Sequence, residues 1–201
     1  MIRVLIAEDQ AMVRGALKAL LAMEQDIEIV SEADRADAVM ATARASNPDV
    51  ALLDIEMPGG DGIGVAGQLR KELPSCRTLI LTTFGRPGFL RRAMEAGAAG
   101  FMLKDAPAQE LALAIRRTMA GERVVDPGLA AAALSEGISP LSEREREVLN
   151  ASRGGASIAE IATALFLSEG TVRNYLSSAI QKLEVSNRME AARLAEDRGW
   201  L

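Results

Sequence analysis

The sequence predicts an α/β domain with a doubly wound parallel sheet, followed by an all-α tetrahelical domain that contains a helix-turn-helix. Three observations predict it. From Met1 to about Gly121, five apolar runs alternate with stretches of helical period, and strands that alternate with helices form a parallel sheet. From Leu141 to Leu201 the apolar runs give way to four short helical segments, two of them opening on a Ser-x-x-Glu signature. Between the two, the alternation breaks at Gly121-Glu122-Arg123-Val124-Val125-Asp126-Pro127-Gly128. The expected divisions are therefore 1–120, a linker over 121–140, and 141–201.

The predicted strands are Ile2–Ala7, Ile27–Val30, Val50–Leu53, Thr78–Leu81 and Gly100–Leu103. Val50-Ala51-Leu52-Leu53 is apolar at every position, as a strand buried on both faces requires. Val13, Leu17, Leu20 and Leu21 share one helical face, and so do Leu111, Ala112, Ile115 and Met119. Pro87 and Pro107 suit the first turns of two further helices. With right-handed crossovers these five strands give a fold of flavodoxin type. No G-x-G-x-x-G follows the first strand, so a dinucleotide site is not expected. In the linker, Leu129–Leu134 reads as a short helix and Ser135–Pro140 as loop. Further on, Ser142 with Glu145 and Ser157 with Glu160 are capping boxes. A third helix begins at Ser168-Glu169-Gly170-Thr171-Val172 and a fourth covers Asn187–Asp197. Two short helices joined by a tight turn make the helix-turn-helix.

Composition narrows the chemistry. The chain has no histidine and one cysteine, Cys76, which removes Ser-His and Cys-His catalysis, histidine-ligated zinc and an internal disulfide. Any metal must be held by carboxylates, which favours magnesium or a similar hard ion. No apolar run spans a bilayer and the first residues lead directly into a strand, so a cytoplasmic protein is expected.

Parallel strands end along one edge of the sheet, and there the polar residues gather. Glu8 and Asp9 follow the first strand, Asp54 the third, Thr82 and Thr83 the fourth, and Lys104 the fifth. Three carboxylates so close repel one another unless a cation sits among them. A divalent ion, a lysine, a hydroxyl and a free carboxylate together form a phosphoryl-binding site in which Asp54 can attack phosphorus in line.

These motifs, Glu8-Asp9, Asp54 with Met57-Pro58-Gly59, Thr82 and Lys104 in order, resemble the receiver domain of bacterial two-component response regulators. The resemblance implies that Asp54 accepts a phosphoryl group from a partner histidine kinase. It implies Mg²⁺ on Glu8, Asp9, Asp54 and the backbone carbonyl of Glu56, with Lys104 paired to the phosphoryl group. Thr82 would be the switch hydroxyl and Phe101 the switch aromatic. Asp105 stands where many receivers carry proline, so the cis peptide usual there is not expected. Phe84, two residues after Thr82, would hinder an attacking water and slow hydrolysis of the phosphorylated form.

The second segment, through Leu141-Ser142-x-Arg144-Glu145-x-Glu147-Val148-Leu149, Leu167-Ser168-x-x-Thr171-Val172-x-Asn174-Tyr175 and Lys182-Leu183, resembles the LuxR-type DNA-binding domain. Receiver and reader together are the architecture of the NarL/FixJ family. The resemblance makes Ser168–Lys182 the recognition helix, with Arg173 and Asn174 toward base edges in the major groove. Thr171, Lys182 and Arg188 are the expected phosphate contacts. Charge works against tight binding by one copy: Glu136–Leu201 holds eight Lys and Arg against ten Asp and Glu, a net −2. Two recognition helices on one operator are therefore expected, brought together by homodimerisation on phosphorylation through residues 10–23 and 107–120, with the face around the fourth helix and fifth strand as the alternative. An aspartyl phosphatase would share the metal and lysine, but its D-x-D is here Asp54-x-Glu56, and the helical half would have no role. A phosphorylation-independent DNA-binding protein is the other alternative.

Overall fold

The computed structural model describes residues 1–83, 85–135 and 139–201. In order, the first part runs β1 (Ile2–Ala7), α1 (Ala11–Leu21), β2 (Ile27–Ala33), α2 (Ala36–Ser46), β3 (Val50–Asp54), β4 (Glu56–Met57), β5 (Gly60–Asp61), α3 (Gly62–Glu72), β6 (Arg77–Thr82), α4 (Pro87–Ala96), β7 (Gly100–Leu103), α5 (Ala108–Met119), β8 (Val124–Val125) and α6 (Pro127–Ser135). The main sheet is parallel throughout, in the order β2-β1-β3-β6-β7-β8. Each crossover is a helix, as parallel neighbours demand.

All five expected strands are present, and a sixth extends the sheet. β8 lies inside the stretch read as linker and pairs Val124 with Gly100 and Val125 with Phe101. Two residues are too few to display a strand's periodicity. β8 accordingly belongs to the compact unit made of Met1–Gly85 and Leu90–Ala130, the other unit being Arg86–Phe89 and Ala131–Leu201.

β3 is buried along its whole length. On one face of the sheet Val4, Ile6, Leu52, Leu79 and Leu81 pack with Leu21 of α1 and Leu111 and Ile115 of α5, each such side chain contributing about 1.5–3 kcal/mol on burial. Leu20 and Met119, grouped by periodicity with those core residues, are instead exposed. The chain leaves β3 through a small hairpin, β4 with β5. Its Pro58-Gly59 corner puts Gly59 at φ +83°, the value that a type II turn requires and that glycine adopts without strain. Gly62 opens α3 so close to β3 that a Cβ there would lie 1.9 Å from the carbonyl oxygen of Asp54.

The second unit contains α7 (Glu143–Ala151), α8 (Ile158–Leu165), α9 (Glu169–Lys182) and α10 (Arg188–Asp197). Ser142 and Ser157 form complete capping boxes with Glu145 and Glu160, Ser168 caps α9 and Asn187 caps α10. Val148, Leu149, Ile161, Val172, Leu176 and Trp200 make its core. Among the described residues no helix is long and apolar enough to cross a membrane.

Candidate functional site

The carboxyl ends of β1, β3 and β7 bring Glu8, Asp9, Asp54 and Lys104 together. One carboxylate oxygen from each of Glu8, Asp9 and Asp54 lies within 4.8 Å of the others. Lys104 Nζ stands 2.7 Å from Glu8 Oε2 and 3.0 Å from Asp54 Oδ2. The other Asp54 oxygen accepts from the Ile55 amide at 2.8 Å. Glu8 and Asp54 are buried, and Lys104 nearly so.

Burial disfavours charge on Glu8 and Asp54 and raises both above the ordinary carboxyl value, although Lys104 pulls each back. Burial also works against charge on Lys104, but its hydrogen bonds to Glu8 and Asp54 more than offset that and raise it. One ammonium thus faces three carboxylates, an excess of negative charge that a divalent cation would correct. Asp9 Oδ1 is buried and has no hydrogen-bond partner, which leaves a lone pair for such an ion. The donor set, all oxygen, fits Mg²⁺.

Thr82 ends β6, buried, and its carbonyl accepts from the Lys104 amide at 2.8 Å, so the two residues are joined through the main chain. Phe101 is fully buried on β7. Glu56 sits in β4, its side chain exposed, paired across the hairpin with Asp61. No peptide bond among the described residues is cis. Phe84 and Glu136–Ile138 lie outside the described residues.

On α9, Val172, Leu176 and Ala179 face the core at helical spacing, followed by the C-cap Leu183, and Arg173, Asn174, Ser177 and Gln181 form the opposite, exposed stripe. Gln181 is a groove candidate that sequence reasoning missed, eight residues on from Arg173 and therefore on the same face. Arg173 pairs with Glu169 at 2.7 Å. The Thr171 hydroxyl shares a 2.8 Å hydrogen bond with Ser168 at the helix cap.

Two of the expected phosphate contacts have internal partners. Lys182 Nζ is 2.7 Å from the buried Glu145 carboxylate, which also accepts from Ser178 Oγ and the Ser142 amide, both at 2.6 Å. Arg188 donates to the carbonyl of Ala156 at 3.0 Å. Both residues hold helices in place.

The chain matches the model of the response regulator receiver domain over residues 4–116 and that of the bacterial regulatory proteins of the luxR family over residues 139–195. It is 44% identical over 200 residues to the transcriptional regulatory protein DesR of Bacillus subtilis (strain 168), a match covering 100% of this chain and 99% of that protein. It superposes on the response regulator ChrA of a heme-sensing two-component system with a TM-score of 0.60 at 35% identity, covering 100% of this chain and 98% of that one. A structure of two RcsB dimers bound to two parallel DNAs matches with a TM-score of 0.68 at 26% identity over 98% of each chain. With an acidic pocket at the end of its sheet and a helix-turn-helix later in the sequence, the chain belongs to the LuxR family of bacterial response regulators and is a DNA-binding transcriptional regulator.

Proposed function

We propose that the protein is a phosphorylation-gated switch, in which a partner histidine kinase phosphorylates Asp54 and the phosphorylated chain dimerises on an operator. The observation that carries this reading is Asp54 itself, buried between Lys104 at 3.0 Å and the orphaned oxygen of Asp9. An Asp54 carboxylate oxygen attacks phosphorus, a P–O bond forms, and the P–N bond of the donor phosphohistidine breaks with the pair returning to the imidazole. Glu8, Asp9, Asp54 and the backbone carbonyl of Glu56 would hold Mg²⁺, which offsets charge on the phosphoryl oxygens when bound. Lys104 pairs with the new phosphoryl group and Thr82 supplies a hydroxyl to it. Phe101, on the strand that ends in Lys104, then reorients. The protein is an acceptor with at most slow self-dephosphorylation, not a turnover enzyme.

Dimerisation through α1 and α5 is supported by their outward faces. Met12, Ala16, Ala19, Leu20 and Met23 form an exposed apolar stripe at helical spacing, with Met12 87% and Met23 80% exposed. Leu113 of α5 is 52% exposed. Sedimentation of the full chain with acetyl phosphate and Mg²⁺ tests this: the wild type is expected to shift to dimer and Leu113→Arg to stay monomeric. A Leu113→Arg chain that dimerises as the wild type does would redirect attention to α4 and β7.

Operator binding is expected to tighten when Arg173 is freed. Glu169 holds the guanidinium, and its negative charge at the start of the recognition helix would repel DNA phosphates. Because an exposed pair is weak, Glu169→Gln should lower the dissociation constant by about three- to tenfold, read by anisotropy of a labelled operator. Unchanged affinity would mean that Arg173 does not reach the bases.

A further inference from the structure

Arg14 stands on α1, just beyond the acidic pair, and its guanidinium is turned back onto the main chain that carries them. Nη1 donates to the Glu8 carbonyl at 2.5 Å and reaches toward the Asp9 carbonyl at 3.4 Å. Nε lies 3.5 Å from Glu32 Oε2 on β2, and only 20% of the side chain is exposed. The same segment is fixed from other sides, with the Glu8 amide on the Ala33 carbonyl and the Gln10 amide on the Glu8 carboxylate. Lys18, one turn further along α1, also pairs with Glu32 but does so at the surface.

By charge alone Arg14 is misplaced, because a guanidinium behind the pocket repels a divalent cation. Its contacts give a different account. It grips two successive peptide groups whose side chains supply two of the three carboxylates. Mg²⁺ accepts little departure from octahedral geometry, so the rotation of those peptides decides how well both carboxylates reach it. We infer that Arg14 is a positioning residue for the cation, fixing the Glu8 and Asp9 peptides so that their carboxylates converge. The inference rests on reading the acidic cluster as the Mg²⁺ site.

The two accounts differ in sign. Titration calorimetry of Mg²⁺ into the full unphosphorylated chain compares wild type, Arg14→Ala, Arg14→Lys and Lys18→Ala, with thermal melts checking the fold. Loss of an outer partner of metal ligands should weaken binding about tenfold or more in Arg14→Ala. Arg14→Lys keeps the charge but not the fork, so it should weaken binding too, and it carries the test if Arg14→Ala does not fold. Lys18→Ala should bind as the wild type does. Tighter or unchanged binding by both Arg14 variants, or equal weakening in Lys18→Ala, would overturn the inference and leave the metal site standing. A wild-type chain that takes up no Mg²⁺ would overturn the site reading, and Arg14's role with it.

Discussion

Asp54→Asn is expected to take up no phosphoryl group from acetyl phosphate and Mg²⁺, and to lose all phosphate-dependent dimerisation and gain in operator affinity. The amide oxygen still offers Lys104 an acceptor in place of the one 3.0 Å away in the wild type, so the pocket keeps its shape. What disappears is the nucleophile, because an uncharged carboxamide does not attack phosphorus at a useful rate. Intact-mass measurement reads the phosphoryl group, sedimentation reads the dimer and footprinting reads the operator, each with and without phosphorylation. A phosphoryl group retained in Asp54→Asn would move the acceptor elsewhere. Operator binding that ignores both phosphorylation and the substitution would instead favour a constitutive DNA reader.

Glu145→Ala is expected to cost the helical unit about 3 kcal/mol, near the low end for breaking a buried ion pair. Glu145 is 4% exposed and its carboxylate gathers the Ser142 amide from its own helix start with Ser178 and Lys182 from α9. Lys182 is 40% exposed, so its ammonium can turn to water once the partner is gone, which keeps the loss from being larger. Burial alone would raise the Glu145 carboxyl, but the hydrogen bonds from Lys182, Ser178 and Ser142 outweigh it and hold the group at about 2. A folded value below the unfolded one means stability that is present above about pH 4.5 and lost as pH falls toward 2. Trp200, the chain's one tryptophan, lies in this unit's core, so urea unfolding followed by its fluorescence reports on the helical unit. Glu145→Gln should flatten the acid slope of stability between those limits. An undiminished slope would mean that another carboxyl carries the acid sensitivity. Because the carboxylate joins the start of α7 to α9, operator binding should fall with stability in both variants.

The strand ends were legible because each is announced by an apolar run and followed by residues that suit neither strand nor core. Glu8, Asp54, Thr82 and Lys104 needed only the parallel topology to bring them to one edge. β8 was not legible, since Val124-Val125 becomes a strand only through the free edge of β7 beside it. Leu20 and Met119 fit a core-facing period yet lie outward, because period gives a face and not which neighbour covers it. Lys182 carries no local sign of Glu145, 37 residues earlier in the chain. Arg14 is similarly silent in sequence, where a lone arginine on an amphipathic helix reads as solvated charge.

The placement of β8 has a practical consequence for anyone isolating the receiver half. A fragment ended at residue 120 would strip the backbone of Gly100 and Phe101 of its neighbour, and bare strand edges recruit one another. Such a fragment would self-associate whether or not it carried phosphate, counterfeiting the activated state in a sedimentation experiment. Truncation after Ala130 retains the covering strand and keeps that control honest.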